Sequence, residues 1–251
     1  NNNDLNEALD NVSKLGFVPT MGCLHQGHIS LIRRSKHECK KTIVSIFVNP
    51  SQFNNKKDYI KYPRNKKRDL SILKKLKVDF VFLPNKKDIY NFKRKIKIAK
   101  KDKILCAKYR KGHFEGVIDI MDRLTKMINP EKIFMGEKDF QQIHLVKNYL
   151  KKRSNTKIIS CRTIRDNNKL ALSSRNLHLD NKDLNTARSI SRDLSNFKKK
   201  LIQQKDIKDL IFIKKNEINN IKNIKVEYLE LRNKINLKKS SKIKDSKIFI
   251  A

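Results

Sequence analysis

Residues 19–28 read Pro-Thr-Met-Gly-Cys-Leu-His-Gln-Gly-His. A short apolar run, Leu15 to Val18, leads into them, and an amphipathic segment, Ile29 to Cys39, leads out. This is the pattern of a strand, a glycine-bearing turn and a helix start, with His25 and His28 at the junction. An anion placed there meets free backbone N–H groups, the positive end of a helix dipole and two imidazole donors. The His-x-Gly-His spacing sets both rings on one face of the helix start, where they can reach neighbouring phosphate oxygens.

Working outward, apolar runs and amphipathic segments alternate. Strands are expected over 16–19, 42–48, 79–83, 132–135 and 157–163, and helices over 28–40, 65–76, 116–128 and 140–152. The run Ile43 to Val48 is almost continuously apolar, as in a strand covered on both faces. The expected fold is therefore α/β, a Rossmann-like doubly wound parallel sheet. After a polar linker, Arg165–Lys169, the character changes. Charged helices over 181–204 and 207–218 precede short strands over 226–231 and 247–250, the pattern of a smaller C-terminal α/β domain. The expected division is 1–165 and 166–251. The lysine-rich stretch Lys93–Lys103 fits no element and reads as an exposed ribbon or loop.

The chain has 251 residues, enough for one large or two modest domains, and 38% of them are hydrophobic. No run approaches the roughly 18 apolar residues of a membrane span, and Asn1–Asp10 lacks a secretory core. No initiator Met precedes Asn1, the mark of a trimmed or partial chain. Cys23, Cys39, Cys106 and Cys161 form no Cys-x-x-Cys pair and read as free thiols of a cytoplasmic protein. The net charge is +35. It is spread from end to end among abundant Lys, Asn and Ile, with no nucleic-acid motif and no Trp. Compositional drift accounts for it better than a specific nucleic-acid partner.

Three further stretches carry polar chemistry. Ser173-Ser174-Arg175-Asn176 offers two hydroxyls and a guanidinium in a turn, a clamp suited to pyrophosphate. Gly136-Glu137-Lys138-Asp139 follows the strand 132–135, at the carboxyl end where doubly wound sheets bind ligands. Asn49-Pro50-Ser51-Gln52-Phe53 follows the most apolar strand, and Gln141 and Gln142 open a helix. Such neutral amides can hold hydroxyls and a carboxylate without exchanging protons.

The stretches PTMGCLHQGH (19–28), SIFVNPSQF (45–53), YPR (62–64), LCAKYRKGHFEGV (105–117), FMGEKDFQQ (134–142) and LALSSRN (170–176) occur in the order seen in one family. Together they make the chain similar to the pantoate–β-alanine ligases. The resemblance implies condensation of pantoate with β-alanine at the expense of ATP, through a pantoyl adenylate, with release of pyrophosphate and AMP. It also implies Mg²⁺ and a homodimer. His25, His28, Lys138, Ser173, Ser174 and Arg175 would neutralise charge on the phosphates. Met21, Gly22, Gly136 and Asp139 would shape the ATP pocket, and Gln52 and Gln142, with Met21, would hold pantoate. Asn49, Arg110 and His113 lie in matching segments near the active site, and Asp69 matches an acidic position near a metal.

The chain also departs from the family. Lys111 replaces a proline, Ala107 a glycine and Arg68 an acidic residue, and Asn91–Lys103 lacks a Pro-Asn-Gly turn. These changes predict a less rigid loop and loss of a left-handed turn at Ala107. Two other readings stay open at this stage: a simple nucleotidyltransferase of the same superfamily, and an RNA-binding protein that exploits the charge.

Overall fold

The computed structural model of the chain describes residues 2–202, 204 and 206–251. Its elements in chain order are α1 (Asn2–Leu9), β1 (Leu15–Thr20), α2 (Gln26–Glu38), β2 (Lys41–Ile46), α3 (Lys56–Lys61), α4 (Lys66–Lys75), β3 (Phe80–Phe82) and α5 (Lys86–Ile89). There follow α6 (Cys106–Tyr109), α7 (His113–Ile128), β4 (Lys132–Gly136), α8 (Phe140–Leu150), β5 (Lys157–Cys161), α9 (Asn181–Leu201), α10 (Ile207–Asn219), β6 (Leu229–Asn233) and β7 (Ser246–Ile250).

Successive strand residues point to opposite faces, and here both faces are apolar. Phe17, Ile43 and Ile133 pack with α1, α7 and α8, while Val18, Val44 and Phe134 pack with α2 and α4 on the other side. The result is a five-stranded parallel sheet in the order β3-β2-β1-β4-β5. The order reverses between β1 and β4, so the carboxyl ends of these two strands form the crevice where such sheets bind ligands. Beyond β5 the chain builds an antiparallel pair, β6 and β7, backed by α9 and α10 around Phe197, Leu201, Ile211, Ile218 and Leu231. The α/β architecture matches the expectation from sequence.

Several details differ. β2 stops at Ile46 instead of Val48, because the chain turns at once into the tight turn Pro50–Gln52, capped by the Asn49 side chain. The polar N-terminus forms α1 and buries Leu5 in the core. The 93–103 stretch is irregular, as expected, yet it is not simply exposed. Arg94 pairs with Asp119 and Asp122 of α7, and Ile96 and Ile98 pack on the core. The helix expected to reach Gln204 ends at Leu201, and Gln203 lies outside the described residues. Ala107 sits within α6 and needs no left-handed backbone. The positive φ angles nearby belong to Leu105 and Gly112.

α7 approaches the Pro50–Gln52 turn closely through Gly116. A Cβ there would lie 2.3 Å from the Ser51 carbonyl oxygen. Helix propensity alone would make Gly116→Ala stabilising by about 1 kcal/mol. The close approach reverses the sign, and Gly116→Ala is expected to lower the unfolding free energy by about 1–3 kcal/mol. Urea titration followed by circular dichroism measures this, and a rise in stability would contradict the packing.

Candidate active site

The site begins where the chain leaves β1. Thr20 donates its hydroxyl to the Ser45 carbonyl (2.7 Å) and accepts the Gly22 N–H (3.2 Å). The next two N–H groups, of Cys23 and Leu24, each donate over 2.8 Å to one carboxylate oxygen of Asp69. Asp69 comes from α4 and is 1% exposed. Its carboxylate thus fixes the turn, with both oxygens engaged by backbone donors. The resemblance put this residue beside a metal. The structure instead gives it a scaffolding role, and the position was legible only as an acidic match.

His25 then caps α2 in an extended conformation. Its Nδ1 accepts the Gly27 N–H (3.1 Å), and Nδ1 of His28 accepts the His25 N–H (3.3 Å). A backbone N–H can only donate, so both Nδ1 atoms are acceptors and each neutral ring carries its proton on Nε2. The rings lie 4.1 Å apart, and both residues line the cleft. Desolvation pushes the His25 pKa down, aided by Lys138. Desolvation, His25 and Lys138 push that of His28 down to about 3. The pair therefore presents two uncharged N–H donors at a helix N-terminus. Gly27 is required by contact: a Cβ would sit 2.8 Å from Cε1 of His25.

The opposite wall comes from the end of β4 and from the later Ser-Ser-Arg turn. Gly136, Lys138 and Asp139 line the cleft, with Lys138 Nζ 3.5 Å from an Asp139 oxygen. Ser174 gives its hydroxyl hydrogen to the Cys23 carbonyl (3.1 Å), tying this turn to the first one. Ser173 accepts the Arg175 N–H (3.3 Å), which leaves its own hydrogen for a ligand. Arg175 reaches Asp58 of α3 through Nε and Nη2 (3.3 and 2.9 Å) and lies over the Tyr62 ring. One edge of its fork is therefore spent on Asp58, a partner that sequence reading did not single out.

Gln52, Gln142 and Met21 meet in the same cleft, of about 220 Å³, beside an apolar wall that includes Phe47, Val117 and Met121. Asn49 lines it as well but is 1% exposed. Gly22 faces a separate hollow behind the turn, shared with Asp69. His113 contacts the Gln52 carbonyl through Nδ1 (2.5 Å), which makes Nδ1–H the donor, and burial and Arg110 push its pKa down to about 4. Neither His113 nor Arg110 lines the cleft. Arg110 is half-buried, and burial and Arg175 lower its pKa.

Sequence reading passed over two other lining residues. Ser45 is 1% exposed, and its hydroxyl has no hydrogen-bond partner among the described residues. Arg162 follows β5 at its carboxyl end, and the strand-end rule that selected Lys138 would have selected it too.

The C-terminal sheet docks beside this cleft. Lys247 of β7 pairs with Glu137 and lies 4.5 Å over the Phe140 ring, and Phe249 meets the same ring edge-on at 5.7 Å. Tyr109 donates to the Glu227 carbonyl (2.9 Å), and Cys106 contacts the Tyr228 hydroxyl (2.8 Å). The segment 136–142, which lines the cleft, and the neighbouring segment 106–113 thus both rest on the C-terminal unit.

The two lowest histidine pKa values set a pH dependence. Folded values of about 3 for His28 and about 4 for His113 lie below the unfolded value of about 6.5. Between these limits the unfolded chain binds more protons. The stability present above pH ~6.5 is therefore lost as pH falls towards 4. Urea midpoints should drop over this range, and His28→Asn should flatten the slope. An unchanged slope in that variant would show that His28 titrates normally.

A family model, pantoate–β-alanine ligase, matches residues 2–251. The chain is 38% identical to the pantothenate synthetase of Caldicellulosiruptor bescii, over 94% of this chain and 85% of the relative. It is 45% identical to that of Francisella tularensis subsp. novicida, over 74% of this chain and 73% of the relative. Among solved structures, pantothenate synthetase from Thermus thermophilus superposes with a TM-score of 0.88 at 29% identity, covering 95% of this chain and 88% of that one. Pantoate–β-alanine ligase from Francisella tularensis, complexed with β-γ ATP and β-alanine, gives 0.81 at 39% identity, covering 92% and 87%. The chain belongs to the pantoate–β-alanine ligase family.

Proposed function

We propose that the cleft condenses pantoate with β-alanine in two steps, and one observation carries this reading. A phosphate end made of uncharged Nε2–H donors, Lys138, Ser173 and Arg175 opens onto an amide-lined pocket with an apolar wall. In the first step a pantoate carboxylate oxygen attacks the α-phosphorus of ATP. The P–O bond to pyrophosphate breaks, and pantoyl adenylate forms. Charge builds on the phosphate oxygens, and His25, His28, Lys138, Ser173 and Arg175 stabilise it by donating hydrogen bonds. With Nδ1 engaged by backbone and the proton on Nε2, neither histidine is set up as a general base.

Gln52 and Gln142 hold the polar groups of pantoate, Ser45 offers an unpaired hydroxyl nearby, and the apolar wall takes its two methyl groups. Gly136 and Asp139 shape the nucleotide side. In the second step the neutral amine of β-alanine attacks the acyl carbon, and the bond to AMP breaks. No protein nucleophile is needed. Residues 166–251 serve as the lid that keeps water from the mixed anhydride.

This reading asks for no carboxylate cage from the protein around magnesium. Both Asp69 oxygens are taken by backbone N–H groups, and the described residues hold no gathering of three or more His, Cys, Asp or Glu side chains around a metal position. Magnesium belongs to this reading only as part of the ATP substrate. The four unpaired thiols support a reducing, cytoplasmic setting, and association as a homodimer completes the proposal.

A product assay with ATP, pantoate and β-alanine should yield AMP and pantothenate in equal amounts. Formation of ADP and phosphate would point to an acyl phosphate and refute the adenylate. Without β-alanine, pantoate-dependent ATP–pyrophosphate exchange should persist. His28→Ala should slow that exchange by about 10²-fold with the fold retained. Gly27→Ala, which displaces the His25 ring, should slow it too. Wild-type exchange in both variants would remove the histidine pair from the mechanism.

A further inference from the structure

Three donors converge on one oxygen of Asn49. The Ser51 backbone N–H (3.3 Å), the Ser51 hydroxyl (2.9 Å) and the Tyr90 hydroxyl (2.6 Å) all reach Oδ1. On the other side Nδ2 donates to the Gly116 carbonyl over 3.2 Å. A backbone N–H can only donate and a carbonyl can only accept, so the two ends of this carboxamide cannot be exchanged. Nδ2 also donates to Oε1 of Gln52 at 3.2 Å. That contact engages the Gln52 oxygen, while its Nε2 donates one hydrogen to the Met21 sulfur, 2.9 Å away on the cleft wall, and keeps a second N–H.

Tyr90 is itself held in place. Its ring lies under Arg123 (4.9 Å), whose guanidinium donates to the Ile89 and Phe92 carbonyls on either side (3.0 and 2.9 Å).

We propose that Asn49, locked by Tyr90 and Ser51, is a positioning residue that sets the polarity of Gln52. An unconstrained glutamine can present either end of its amide. The locked one presents N–H donors, so this part of the cleft selects an oxygen acceptor, a carboxylate or hydroxyl oxygen, and rejects a donor. The inference rests on the reading that pantoate binds at Gln52. It moves Asn49 from direct contact with substrate to control of a neighbour, which its near-complete burial supports.

The test uses the full chain in pantoate-dependent ATP–pyrophosphate exchange. Asn49→Asp places an acceptor where Nδ2 stood, so Gln52 turns its N–H group inward and its carbonyl towards the cleft. The KM for pantoate should rise about tenfold, with the KM for ATP within about twofold of wild type. Tyr90→Phe keeps the ring beneath Arg123 and loosens the lock, and should raise the pantoate KM by about threefold. An unchanged pantoate KM in Asn49→Asp, or an equal rise for both substrates, would overturn the proposal. If circular dichroism shows Asn49→Asp unfolded, Tyr90→Phe decides alone, and an unchanged pantoate KM in it is the overturning result. Absence of pantoate-dependent exchange in the wild type would defeat the underlying functional reading. Normal wild-type exchange with unshifted variants would defeat the polarity lock alone.

Discussion

The carboxylate of Asp69 is the constraint on which the cleft depends. The chain must leave the buried end of β1 and enter α2 within a few residues, and two N–H groups of that turn are out of water. Each would cost about 1–3 kcal/mol if left unpaired. Asp69 satisfies both from α4 and so ties the crossover between β2 and β3 to the turn that precedes the histidines. With the turn fixed, the helix start is fixed. His25 and His28 then bond to backbone N–H groups through Nδ1 and leave Nε2–H for a ligand.

The same economy recurs around the cleft. Side chains that read from sequence as contacts with substrate are partly engaged in holding one another. Ser174 joins the later turn to the first, His113 holds the Gln52 carbonyl, Arg175 is steadied by Asp58, and Asn49 orients Gln52. Among the groups left to face a ligand are two imidazole N–H groups, Lys138, the Ser45 and Ser173 hydroxyls, Arg162, part of Arg175, the Gln142 amide and the nitrogen end of Gln52. The C-terminal sheet adds support through Lys247–Glu137 and through the Tyr109 and Tyr228 contacts.

Much of this was legible in the chain. Period and burial pattern located the parallel strands, because a strand covered on both faces is apolar almost throughout. The strand-end rule located the histidine, Gly136–Asp139 and Asn49–Gln52 segments. Residues whose roles depend on long-range partners were not legible. Asp58, on a short exposed helix, has no local pattern that points to Arg175, which lies 117 positions away. Asp69 stood near a metal only through the family resemblance, and its bonds to the Cys23 and Leu24 N–H groups, 46 and 45 positions away, had no local signal. The 93–103 stretch looked unstructured because its order comes from Arg94 reaching α7 rather than from any periodicity.

The central claim is that His25 and His28 act as neutral Nε2–H donors set by backbone capping. Long-range ¹H–¹⁵N correlation spectra of the uniformly labelled protein report the tautomer and charge of each ring directly. At neutral pH both histidines should show a protonated Nε2 and an unprotonated Nδ1, and His28 should stay neutral when the solution is taken to pH ~5. Finding the Nδ1–H tautomer, or an imidazolium at neutral pH, would contradict the account.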